Sequence, residues 1–146
     1  MKRFAVAKIP FAGVDTINWR AFDYYPRLRR VREHLEKHIS DPLPTTAAAD
    51  IACLNASYFS SFFRSKVGVR YTEWARLVRI ERAMDILKSE NRSIREVACD
   101  VGYAGLRTFE RAFKRHTSLT PSEFKRMVRP AAHRPEVRRR EPRVRA

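Results

Sequence analysis

One apolar pattern occurs twice in this chain, about fifty positions apart. Phe59, Phe62 and Phe63 stand at i, i+3 and i+4, among Ser57, Ser60, Ser61 and Arg64. Phe109, Ala112 and Phe113 hold the same offsets, among Arg107, Glu110, Arg111 and Lys114. Helical spacing puts each apolar set on one face and each polar set on the opposite face. The chain must bury two such faces, so it has to build two similar helical units. The outward faces differ: hydroxyls dominate the first and positive charge the second. A duplicated, donor-rich helix in a basic chain suits two segments of a DNA groove.

Charge supports that partner class. The 146 residues carry a formal net charge of +15, with a pI near 10.8, which points to nucleic acid or an anionic membrane surface. Residues 131–146 hold six Arg against two Glu, yet the part between the two ends keeps 21 basic and 12 acidic side chains. No apolar run approaches the roughly 18 residues of a membrane span. Lys8 and Pro10 interrupt the only stretch resembling a signal peptide, so a cytoplasmic, nucleoid-associated protein is expected. Cys53 and Cys99 belong to no C-x-x-C or Cys/His cluster, which leaves zinc without a ligand set. Both are expected as reduced, half-buried thiols. His34 and His38 lack a third ligand, so neither a metal nor a cofactor is expected.

The chain divides into three parts. Residues 1–26 are too apolar for a plain tail and are broken by Pro10, Gly13 and Pro26. They read as an arm or the remnant of an upstream region. Residues 27–129 are helical in pattern, and residues 130–146 form a basic, disordered tail. Within the middle part seven helices are predicted. The first runs from Arg27 to Ile39, before Asp41-Pro42-Leu43-Pro44. The second starts at Thr45 or Thr46. The third is capped by Asn55 and ends before Gly68, with Leu54 and Phe59 placed as a staple. A long fourth helix covers about 72–89, with Leu77, Ile80, Met84 and Leu87 as its apolar stripe. Ser93–Glu96 is a capping box opening the fifth, and Gly102 ends it. The sixth covers about 106–116. Thr120–Glu123 is a second capping box, with Pro121 at the first helical position of the seventh.

Residues of about 45–67 and 93–117 then pair as short helix, tight turn and second helix. Ala49 pairs with Ala98, and Cys53 with Gly102. Each unit reads as a helix-turn-helix, whose second helix enters a major groove. The expected fold is all-α: a seven-helix bundle of two helix-turn-helix subdomains joined by a long linker helix. A linker of about 18 residues spans roughly 27 Å, close to one duplex turn.

These residues resemble a known family. Ile94-Arg95-Glu96-Val97-Ala98, Val101-Gly102-Tyr103, Phe109 through Arg115 and Leu119 through Phe124 look like the second half of the DNA-binding domain of AraC/XylS-type transcriptional regulators. Ser57-Tyr58-Phe59, Phe63-Arg64, Gly68, Arg79 and Ala83 match the first half. The resemblance covers about 70% of the chain, from Arg27 to Arg129. It implies seven helices, sequence-specific promoter binding and, usually, activation. Cys53 and Ser118 stand where the family commonly has Gly. If those positions need positive φ, each costs of order 1 kcal/mol. The resemblance is to short members that bind as monomers, unless residues 1–26 mediate dimerisation.

Arg107 is the leading base reader, because Arg pairs bidentately with guanine; a phosphate contact or a solvated side chain is its alternative. Leu106 can meet a thymine methyl or pack at the helix start. Glu110 can accept from cytosine, or pair with Lys114 or Arg107. Arg111 and Lys114 are phosphate clamps or solvated surface. In the first unit Asn55, Ser57, Ser60 and Ser61 can bond bases or phosphates, the serines alternatively being small solvent-facing residues, and Arg64 and Lys66 suit phosphates. The expected partners are promoter DNA and RNA polymerase. Nothing in the chain arranges a nucleophile with a base or a Gly-rich phosphate loop, so an enzyme is not expected. A non-specific architectural binder and a helix-turn-helix protein-interaction module remain as alternatives.

Overall fold

A computed structural model describes residues 16–129. In order, its helices are α1 (Arg20–Tyr24), α2 (Pro26–Lys37), α3 (Thr45–Ile51), α4 (Ala56–Val67), α5 (Tyr71–Ser89), α6 (Ile94–Asp100), α7 (Leu106–Thr117) and α8 (Pro121–Val128). The all-α, two-unit architecture stands, with eight helices among the described residues rather than seven. The addition is α1. Pro26 closes off any longer helix there, and five residues carry too little periodicity to predict. Tertiary contact holds α1 instead. Phe22 is fully buried, stacked on Trp74 with ring centroids 4.9 Å apart and edge-on to Phe63 at 6.0 Å. Asn18 donates its backbone N–H to the Val67 carbonyl at 2.8 Å. The residues before Thr16 and after Arg129, including the Arg-rich tail, lie outside the described residues.

Helix α5 is the spine. Trp74, Leu77, Ile80, Met84 and Leu87 are buried along it, so its stripe serves both units. Its first turns pack into unit one, where Tyr71 and Trp74 meet Phe59 and Phe63. Along its length it also packs against α6, α7 and α8. Over 19 residues it runs about 28 Å. Both predicted capping boxes form, at Ser93/Glu96 and Thr120/Glu123.

The turns need left-handed backbone at four places. Cys53 (φ 56) and Gly102 (φ 88) lie between the two helices of each unit; Gly68 (φ 94) and Ser118 (φ 63) follow the second helix. Each unit thus fills one such position with Gly and the other with a side chain. The two cysteines are exposed, not half-buried as expected. Cys53 occupies the turn itself, and Cys99 faces away from the buried Val97 and Ala98 on α6.

Replacing Cys53 or Ser118 by Gly removes the left-handed Cβ penalty without losing packing, since both are exposed. Each change is expected to stabilise by about 1 kcal/mol in urea denaturation, and Cys53→Ala to give no gain. Glu81 on α5 gives a second test. Burial, then the neighbouring Asp85, raises its carboxyl to about 7. The folded state therefore favours the protonated form. Glu81's contribution is complete below its unfolded value near 4.5 and is lost as pH rises through about 7. Glu81→Gln is expected to flatten the fall in stability between about pH 5 and 8 in urea melts at stepped pH.

Candidate nucleic-acid interface

The duplication reaches further back than the helix-turn-helix pairs. Leu28, Val31 and Leu35 on α2 lie 52 positions before Ile80, Ala83 and Leu87 on α5, and all six are buried. Arg27 and Arg79 share that offset. Arg27 Nη1 donates to the Ala52 and Cys53 carbonyls at 2.9 and 3.0 Å. Arg79 Nη1 donates to the Val101 carbonyl at 2.9 Å. In each unit an Arg from the supporting helix holds the end of the first helix and fixes where the second begins.

Arg79 does more. Its Nη1 also reaches the Ile39 carbonyl, and its Nη2 the Asp41 carbonyl at 2.9 Å. One guanidinium therefore joins the spine, the α2–α3 connector of unit one and the turn of unit two. Burial pushes its pKa down; Tyr71, Tyr103 and Asp41 oppose that. Tyr71 completes the joint by donating to the Leu43 carbonyl at 2.7 Å, and burial lifts its phenol to about 12. Gly102 is the close approach: a Cβ there would run into the Arg79 guanidinium and lie 2.7 Å from the Ile39 carbonyl oxygen.

On this frame the outward rows are presented. Ser57, Ser60, Ser61 and Arg64 on α4 are exposed, over buried Phe59 and Phe63. Arg107, Glu110, Arg111 and Lys114 on α7 are exposed, over buried Phe109, Ala112 and Phe113. Asn55 is exposed and caps α4, accepting from the Tyr58 N–H at 2.8 Å. Leu106 is half-buried and packs against the core, the second of its two expected roles. Lys66 is half-buried, its Nζ 5.4 Å from the centroid of Tyr25. The expected pairing of Glu110 does not form. The ion pairs among the described residues join Arg32 to Glu36, and Arg92 to Glu90 and Asp100, while the His38 ring lies beside the Asp41 carboxylate. A solvated Glu–Lys pair one turn apart gains only about 0.2–0.5 kcal/mol, too little to hold extended side chains together.

Three further exposed residues border the rows: Tyr58, Thr108 and Arg115. Arg115 sits one turn after Arg111, so the row's own period marks it. Gly105 precedes α7 and gives it no side-chain cap, leaving its first-turn N–H groups open. No group of three or more His, Cys, Asp or Glu among the described residues could hold a metal ion. No helix among them is long and apolar enough to cross a membrane.

Comparison with known proteins matches residues 48–127 to a helix-turn-helix domain family. This chain belongs to the AraC-type helix-turn-helix family. It is 30% identical over 100 residues to the arabinose operon regulatory protein of Escherichia coli, covering 68% of this chain and 34% of that protein. It is 29% identical over 102 residues to the HTH-type transcriptional regulator YfiF of Bacillus subtilis, covering 70% of this chain and 32% of that one. The chain thus spans about a third of the length of these relatives. Among solved structures, the C-terminal domain of AraT, a response regulator from Geobacillus stearothermophilus, matches with a TM-score of 0.66 and 28% identity, over 70% of this chain and 85% of that one. The DNA-binding domain of AdpA, solved with a target DNA, shares the AraC-type fold at TM-score 0.68 and 24% identity, over 75% of this chain and 97% of that one. The matched relatives are regulators, not enzymes.

The Arg79 joint is testable by stability. Arg79→Ala leaves three carbonyls without their charged donor and is expected to cost about 1.5–3 kcal/mol in urea denaturation. Arg79→Lys is expected to recover little, because a compact ammonium cannot fork to three carbonyls on two segments.

Proposed function

We propose that this chain is a sequence-specific, double-stranded DNA-binding transcriptional regulator that reads two adjacent major grooves with α4 and α7. One observation carries the reading. Each unit of the family fold presents a solvent-directed row of hydroxyl and cationic side chains, while the rings beneath them are buried. Phe59, Phe63, Phe109 and Phe113 are buried, so the rows themselves offer no run of rings for stacking single-stranded bases, which argues for a duplex. The spine's length of about 28 Å suits successive grooves on one face of the helix.

The rows divide the work. Arg107, in the first turn of α7, is the base reader, and Arg111 and Lys114 hold flanking phosphates. Arg115 joins them. Glu110, without an ion-pair partner among the described residues, accepts from a base amino group. On α4 the short side chains of Ser57, Ser60 and Ser61 allow close approach, with Arg64 on the backbone. Asn55 keeps its amide donors free for a phosphate while its oxygen caps the helix. The protein acts as a monomer in the cytoplasm, on the nucleoid. It activates transcription through contact with RNA polymerase.

Selection from random duplexes at near-physiological salt tests this. A bipartite consensus with halves about one turn apart is expected; enrichment of no sequence would make the protein an architectural binder. Arg107→Ala is expected to weaken the selected site by about 1–3 kcal/mol and relax preference at one position. Arg64→Ala should weaken all sequences alike and lower the salt slope by about one. Titrations at several salt concentrations separate the two.

A further inference from the structure

Beside α4 lies an open groove of about 390 Å³, lined by Tyr25, Pro26, Arg27, Leu54, Tyr58 and Phe62. Tyr58 and Phe62 stand about 100° and 140° around the helix from Ser57, so the groove opens sideways from the outward row. Its rings form a cluster: Tyr25 meets Phe62 at 5.4 Å, and Tyr58 stacks on Phe62 at 6.0 Å. Tyr58 is 55% exposed, and the adjoining Tyr24 is 76% exposed.

The internal repeat shows what such a place receives. Arg27 corresponds to Arg79, and Leu54 to Tyr103. At the Arg79 position the connector Ile39-Ser40-Asp41-Pro42-Leu43 crosses the unit. Its Ile39 and Asp41 carbonyls take the guanidinium, and Ile39 and Leu43 pack on the core. The charge of Asp41 favours the cationic form of Arg79. At the Arg27 position no described segment plays that part. Arg27 uses Nη1 on its own turn, and its Nη2 and Nε reach no acceptor among the described residues. Lys66 adds a second cation beside Tyr25.

We propose that this groove is a docking socket for an extended acidic segment of a second protein. That segment gives main-chain carbonyls to Arg27, an apolar side chain to Tyr58 and Phe62, and a carboxylate to the cations that flank Tyr25, Arg27 in the lining and Lys66 over the ring. The occupant's chemistry copies the connector that fills the equivalent place in unit two. The proposal is independent of how α4 and α7 read DNA.

The probe is a blocked synthetic copy of residues 39–44, titrated into the ¹⁵N-labelled full chain. Saturable shifts at the amides of Arg27, Leu54, Tyr58 and Phe62 are expected, with a Kd of about 1 mM for so short a peptide. A copy carrying Asp41→Lys should bind less well. Arg27→Ala and Tyr58→Ala in the protein should each weaken binding about tenfold. Tyr58→Ala removes an exposed ring, so it keeps the test decisive if Arg27→Ala unfolds its turn. Several results would overturn the proposal. No saturable shift up to about 5 mM is one. Shifts scattered over the basic surface and unchanged by Tyr58→Ala are another. Contacts from residues 1–15 to the Tyr58 ring would give the groove to this chain's own segment. Self-association lost on Tyr58→Ala would give it to a second copy. Exclusion of the peptide by bound duplex would give it to the DNA backbone.

Discussion

The Arg79 fork is the constraint on which the rest depends. A helix alone can set the distance between two units, but it cannot set their relative rotation. Three carbonyls on two segments, all taken by one planar guanidinium, do that. Burial makes the arrangement demanding: the charge must keep its acceptors, because losing them would leave it desolvated and unpaired. Tyr71 and Gly102 follow from the same requirement. The phenol anchors the connector that Arg79 holds, and Gly102 leaves the room through which the guanidinium passes.

The two units solve one backbone problem with different residues. Each needs left-handed backbone between its helices and again after the second helix. Unit one places Gly after its second helix and tolerates Cys53 in the turn; unit two does the reverse, with Gly102 and Ser118. Gly102 has to be Gly for steric reasons beyond φ, since Arg79 and Ile39 crowd its α-carbon. Cys53 is exposed and bears only the backbone strain. Sterics thus explain why the side chain is tolerated in one turn and excluded from the other.

Local signals were legible in the sequence, and signals across the chain were not. The capping boxes at Ser93 and Thr120, the stripe of α5 and the burial of Phe59, Phe63, Phe109 and Phe113 all follow from spacing within one turn or two. The exposure of the outward rows follows from the same periodicity. Helix α1 was not legible, because it is held by Phe22 against Trp74, a partner 52 positions away. The joining role of Arg79 was equally hidden, since a single Arg on a helix carries no mark of reaching carbonyls at Ile39 and Val101. The pairing of Glu110 failed for an opposite reason: its spacing permitted a contact that solvent makes nearly worthless.

The inequality of the two rows gives the joint its purpose. Serine reaches only a short way from its backbone, whereas arginine extends several ångströms on a flexible stem. If both rows meet one duplex, α4 has to lie closer to the bases than α7. Long side chains on α7 can absorb a small error in placement, and serines on α4 cannot. The stricter tolerance therefore falls on unit one, whose position relative to unit two is held by the α2–α3 connector on Arg79 and by Tyr71 and Trp74 in its core. A loose joint would cost the serine row its contacts first and leave α7 bound through charge. Sequence preference would then narrow to one half of the site while affinity for any duplex persisted.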